Sequence, residues 1–239
     1  MAVSIGILGA VIAVPAEFAG LFADFPQVSA PVAASVSANS SADVLVETTR
    51  LAIEHSPLLC MHAGVVSGPD GIVSVPGRSG LGKTTLVAAL VRAGFGYVSD
   101  EALAIDRSTG DVTAFPRPLS LNSDVWPMFG AHLGEAPAAG TERLVAPACL
   151  GTVNATGGRV SDIVLATRPD APALRPVPRG DAVVALLRHS FNHFADPPAS
   201  FRAVVNVVRG ARVWHAGYTD AAEFADRLSA RLADRRIAP

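Results

Sequence analysis

Short apolar runs bounded by glycine, proline or aspartate mark strands along this chain, and longer stretches with apolar residues three or four apart mark helices. Val3 to Ile7 and Ala10 to Val14, flanking Leu8-Gly9, predict a β-hairpin with a tight turn. Pro15 to Asp24 follows as a short helix with Phe18, Leu21 and Phe22 on one face, and Gln27 to Ser41 as a weak strand and a loose connection. Val44 to Glu47 predicts a strand, and Thr49 to His55 a helical turn that Pro57 interrupts. His62 to Ser67 and Gly71 to Pro76 predict antiparallel strands joined by a turn at Gly68-Pro69-Asp70-Gly71. A helix over Thr84 to Ala93 and a strand over Phe95 to Ser99 come next, then a hairpin from Leu103 to Phe115.

Asn122 to Gly158 carries little periodicity and predicts irregular structure over the site, part of a substrate lid. Asp162 to Ala166 and Val213 to His215 read as strands, Asp181 to His189 and Phe201 to Val208 as helices. Thr219 to Ala233 reads as a C-terminal helix, with Thr219 as its N-cap and an apolar face of Phe224, Leu228 and Leu232. The whole predicts an α/β protein, a mixed sheet flanked by helices over residues 49–239, preceded by a small β-hairpin and helix element over residues 1–48.

Between the strand at Gly71 and the helix at Thr84 stands Gly77-Arg78-Ser79-Gly80-Leu81-Gly82-Lys83-Thr84, which fits G-x-x-x-x-G-K-[ST] at every fixed position. Strand, loop and helix would set a polyphosphate at a helix N-terminus, where unpaired N–H groups and the macrodipole favour an anion. Gly77, Ser79, Gly80, Gly82, Lys83, Thr84 and Thr85 are therefore the expected nucleotide-binding residues. Lys83 is the only lysine in a chain with 18 arginines, which marks a place where a compact ammonium fits and a planar fork does not.

Composition narrows the partners. The chain is 50% hydrophobic and 17% charged, as suits a well-packed α/β protein, and a formal charge of −2 without a basic block argues against nucleic acid. The apolar start, Met1 to Pro15, lacks a basic lead and is too short to span a bilayer, so neither export nor a membrane partner is expected and the location read is cytoplasmic. Cys60 and Cys149 have no metal-type spacing and read as buried thiols.

Asp100-Glu101 ends the strand after the helix, where ligands of open α/β sheets gather. Phosphoryl transfer uses one carboxylate near the magnesium and another to take the acceptor's proton. His62, at the start of the strand paired with the loop strand, is expected to orient the Asp100 carboxylate. Arg117, Arg143, Arg159 and Arg168 are candidates to stabilise the transferred group, and the sequence does not choose among them. His189 and His193 stand four apart, but Asn192 replaces the glutamate of H-E-x-x-H, which argues against a metal there.

Together, His62-Ala63-Gly64, the Gly77-to-Thr84 loop and Val98-Ser99-Asp100-Glu101 resemble the catalytic core of the HPr kinase/phosphorylase family, closest to the short HPr-kinase-like serine kinases of peptide natural-product clusters. Phe115-Pro116-Arg117-Pro118-Leu119-Ser120-Leu121 extends the likeness, which covers about residues 58–122. The resemblance implies a kinase core of the HPr kinase/phosphoenolpyruvate carboxykinase type. It also implies ATP and magnesium as cofactors, and a serine-type hydroxyl on a peptide, its C-terminus included, or on a small molecule as acceptor. It makes Lys83 a ligand of the outer phosphates, Thr84 and Glu101 metal residues, Asp100 the base with His62 assisting, and Arg117 a substrate residue. A homo-oligomer is compatible with it. The family has Asp-Asp where this chain has Asp100-Glu101, which leaves a catalytically silent nucleotide-binding scaffold as the alternative.

Overall fold

The computed structural model describes residues 1–133, 138–168 and 174–234. The first hairpin forms as expected. β1 (Ala2–Ile7) and β2 (Ala10–Pro15) are antiparallel, and positive φ at Leu8 and Gly9 makes the turn between them. A single 3-10 stretch, Ala16–Phe22, follows, and β3 (Ala34–Ser35) adds to β2.

The expected strand at Val44 to Glu47 is instead the middle of α1 (Ser41–Glu54). The Ser40 side chain accepts the Asp43 N–H and so caps the helix. Val44, Leu45, Thr48, Thr49 and Leu51 to Ile53 are buried on one side. The helix crosses the expected 48/49 division, and its buried side shares one apolar cluster with Cys60, Ala104, Phe115 and Leu144 beyond it.

The main sheet is mixed. β4 (Leu59–Gly68) and β5 (Gly71–Pro76) are antiparallel; α2 (Lys83–Arg92) leads to β6 (Gly96–Ser99), β7 (Ala102–Ile105) and β8 (Val112–Thr113). A small sheet stands beside it, built from β9 (Leu119–Asn122), β10 (Ala138–Ala139) and β11 (Glu142–Val145), with short helices α3 (Trp126–Phe129) and α4 (Pro147–Leu150) around it. Where irregular structure was expected, the described part of Asn122 to Gly158 thus holds short regular elements. β12 (Val160–Thr167), β13 (Arg175–Pro176), α5 (Arg179–Arg188), α6 (Pro197–Gly210), β14 (Arg212–Gly217) and α7 (Ala221–Ala233) complete the chain. The strand order is β13-β14-β12-β5-β4-β7-β8, with β6 on the same edge of β4 as β7.

Strand alternation sorts the core. Val66, Val73, Val75, Val164 and Trp214 face α2 and α7, whereas Val65, Ile72, Ile163 and Val213 face α5 and α6. Pro197 and Pro198 open α6 rather than ending a helix, and Asp220, not Thr219, caps α7 by accepting the Glu223 N–H. Of the two thiols only Cys60 is buried, and burial pushes it up to about 11.

On the α2 side of β4, Gly64 lets the helix close on the sheet. A Cβ there would stand 2.7 Å from Val87 Cγ2 and 3.7 Å from Lys83 Cβ. Gly64→Ala is therefore expected to cost about 1–3 kcal/mol of stability through overpacking, and to weaken nucleotide binding because α2 carries Lys83. Urea unfolding together with nucleotide titration checks this, and an unchanged midpoint would contradict it.

Candidate active site

β5, β12 and β14 run parallel, and β6 runs the same way because it too is antiparallel to β4. Their carboxyl ends therefore share one edge, where the chain delivers Gly77, Arg168, Thr219 and Asp100. A cleft of about 570 Å³ opens there, lined by His62, Ser79, Gly80, Gly82 to Thr85, both acids and Arg168 among others.

The glycine-rich loop is held from outside and bent from within. Gly77 N–H donates to the His62 carbonyl at 3.2 Å, and the Tyr218 hydroxyl donates to the Leu81 carbonyl at 2.6 Å. Gly80 and Gly82 take φ of +82° and +86°, which any other residue adopts at a cost. Gly82 is the N-cap of α2, and among the described residues no side chain caps that helix. The N–H groups of its first turn are thus left for a ligand. Lys83 is buried and donates to the Arg78 carbonyl at 3.0 Å. Burial pulls its ammonium down to about 8, against Glu101 and Asp100, whose charges raise it.

The two acids enter where one strand breaks into two. Ser99 Oγ accepts the N–H groups of Glu101 and Ala102 at 3.1 and 3.0 Å, turning the chain between β6 and β7. The break cancels the alternation that would send neighbouring side chains to opposite faces, so both acids line the cleft.

Their surroundings differ. Asp100 is 1% exposed and accepts four bonds: from Thr84 Oγ1 at 2.9 Å, Tyr97 OH at 2.9 Å, Arg117 Nε at 3.1 Å and Arg117 Nη2 at 3.2 Å. Burial, then the Asp100 charge, holds the Tyr97 phenol well above its usual range, so it stays a donor. Glu101 is partly exposed, with His62 Nδ1 3.1 Å from Oε1 and Arg117 Nη2 3.4 Å from Oε2. Burial raises its carboxyl, but the His62 hydrogen bond and the charges of Arg117, His62 and Lys83 outweigh it and hold it below the usual range.

His62 therefore stands against Glu101, and not against Asp100, the carboxylate that the sequence reading gave it. The reason is register: His62 lies opposite Ala102, next to Glu101, whereas Asp100 is drawn toward α2 and Arg117. Likewise Thr84 is joined to Asp100 rather than to Glu101.

Of the four candidate arginines, Arg117 is committed to Asp100, Arg143 lies 4.3 Å from the Trp126 ring centre, and Arg159 is exposed beside Asp111. Arg168 lines the cleft, stacked 4.9 Å over Tyr218 and against Gly82. His189 ends α5 and His193 sits in a separate 3-10 turn, so they share no helix face. No group of three or more His, Cys, Asp or Glu suited to a metal occurs among the described residues. The oxygens of Thr84, Asp100 and Glu101 do suit magnesium, which takes one or two carboxylates and completes its shell with water and phosphate. The sequence reading missed Tyr97, in β6, and Tyr218, just after β14: a lone tyrosine carries no signal of what its hydroxyl will meet.

No helix among the described residues is long and apolar enough to cross a membrane. No protein-family model matches the chain, and no curated protein is similar to it. Solved structures that are similar include the HPr(Ser) kinase/phosphatase from Coxiella burnetii, at a TM-score of 0.39 and 13% identity over 74% of this chain and 90% of that one. At that level of likeness neither fold nor function is carried over.

Proposed function

We propose that this chain is an ATP- and magnesium-dependent kinase that transfers a phosphoryl group to a serine-type hydroxyl on a peptide. One observation carries the reading: a buried lysine, an uncapped helix N-terminus, a threonine hydroxyl tied to a carboxylate, and a second carboxylate paired with histidine converge in one cleft. The motif likeness over residues 58–122 supports it.

Lys83 and the first turn of α2 bind the outer phosphates, and Arg168 meets charge that develops on the transferred group. Thr84 with Asp100 holds magnesium, which when bound neutralises the phosphates. Glu101, ionised at neutral pH and turned toward the acceptor side, takes the hydroxyl proton as the acceptor oxygen bonds to phosphorus and ADP leaves. His62 positions the Glu101 carboxylate.

Incubation with ATP, magnesium and serine peptides is expected to yield ADP and phosphoserine, and Lys83→Met to yield neither. Nucleotide affinity also reports the lysine. Below pH about 8 Lys83 is already charged in the free protein, so affinity is level there. Above it each binding event must take up a proton, and affinity falls by about tenfold per pH unit. Calorimetry in buffers of different ionisation enthalpy reads that proton. Failure to bind nucleotide at any pH would overturn the reading.

A further inference from the structure

We propose that the groove between α1 and β11 is the acceptor site, and that it takes an extended peptide with apolar residues flanking its serine-type hydroxyl. This rests on the kinase reading above and names the substrate class of that site. The groove holds about 800 Å³, more than the nucleotide cleft.

One wall is a full face of α1, where Ala42, Val46, Thr49 and Ile53 recur at helical spacing, and Leu144 and Phe191 stand among its other lining residues. Val46 and Phe191 are large apolar side chains left 66% and 43% exposed. The groove is continuous with the cleft, because Ser79, Glu101, Ser120 and Glu142 line both. Whatever fills it therefore meets the Glu101 carboxylate at its inner end, with the phosphates on the other side.

Size and charge choose the occupant. A free serine would fill a small part of a space suited to a drug-sized molecule, leaving Val46 and Phe191 in water, whereas several residues of extended chain would cover them. Arg50 and Glu54 neutralise each other along α1 at 2.6 Å, and Arg117 is paired with Asp100. The inner end presents carboxylates, Glu142 beside the Ser120 hydroxyl and the partly exposed Glu101 that His62 and Arg117 share, and these disfavour acidic residues beside the serine.

The test compares three probes: a synthetic peptide with one serine flanked by leucines, its twin with aspartates for leucines, and free serine. The leucine peptide is expected to have the highest kcat/KM by tenfold or more. Val46→Glu should raise its KM at least tenfold with the KM for ATP unchanged, and Val32→Glu, an exposed valine outside the groove, should change neither. Equal use of all three probes, or an unmoved KM in Val46→Glu, would overturn the groove while leaving the kinase standing. Fluorescence anisotropy of the labelled leucine peptide, with the protein saturated by a non-hydrolysable ATP analogue, reads the groove without turnover. Binding that Val46→Glu abolishes supports the proposal, and absence of binding to the parent sinks it. Failure of the kinase reading shows separately, as absence of ATP binding or as ATP binding with no phosphoryl transfer to any of the three probes.

Discussion

Glu101→Gln lowers kcat for phosphoryl transfer by about 10²- to 10⁴-fold, the usual contribution of a positioned base, with ATP affinity held within a few-fold of the parent. The amide keeps the volume, and its single carbonyl oxygen accepts from Arg117 or from His62 but not from both, so the site is largely kept while proton acceptance is lost. The choice of Glu101 over Asp100 follows from geometry. Asp100 has both oxygens occupied by four donors and is 1% exposed, whereas Glu101 is partly exposed and lines the groove as well as the cleft. His62→Asn, which removes the imidazole but not the base, gives a smaller loss. In the parent, the acid limb of kcat/KM falls below the ordinary carboxylate range because the Glu101 carboxyl is held down, and removing His62 moves that limb upward. Single-turnover rates with radiolabelled ATP measure all of this. Full activity in Glu101→Gln would return the base to Asp100.

The glycine loop of the candidate site was legible because its signals are local. The glycines at 80 and 82, Lys83 and Thr84 are contiguous, and strand and helix patterns on either side orient them. The acids were legible for the same reason, as residues that end a strand after the loop's helix. What could not be read was which group each acid would hold. The partnership of His62 with Glu101 depends on a β4–β7 register and on the Ser99 turn, and Asp100 meets Arg117 only through tertiary packing of a segment 17 residues away. Val44 to Glu47 looked like a strand because Asp-Val-Leu-Val-Glu is apolar and β-branched, yet Ser40 with Asp43 is an N-terminal helix signal, and burial on one side decided the matter. The groove proposed as the acceptor site had no sequence signal, since its walls come from α1, β9, β11 and the segment after α5.

The Asp100–Arg117 pair gives the largest expected effect on stability. Arg117→Met leaves a carboxylate that is 1% exposed with only the Thr84 and Tyr97 hydroxyls, and is expected to cost about 3–5 kcal/mol. Asp100→Asn strands a guanidinium that is 7% exposed, but Glu101 Oε2 stands 3.4 Å away and offsets part of its charge, so the cost lies toward the lower end of that range. In Asp100→Asn/Arg117→Met no charge is left unpaired, and the double variant is expected to be more stable than Arg117→Met alone, with a coupling energy of about 1–3 kcal/mol by chemical denaturation. Additive losses would mean that the two residues do not share one electrostatic fate. Function separates from stability in the same cycle. The double variant folds but lacks the carboxylate that holds Thr84, so its magnesium-dependent ATP affinity stays low however far its unfolding midpoint recovers. Under the proposed kinase function, Arg117 is a positioning residue that acts through Asp100, fixing the carboxylate before any ligand arrives.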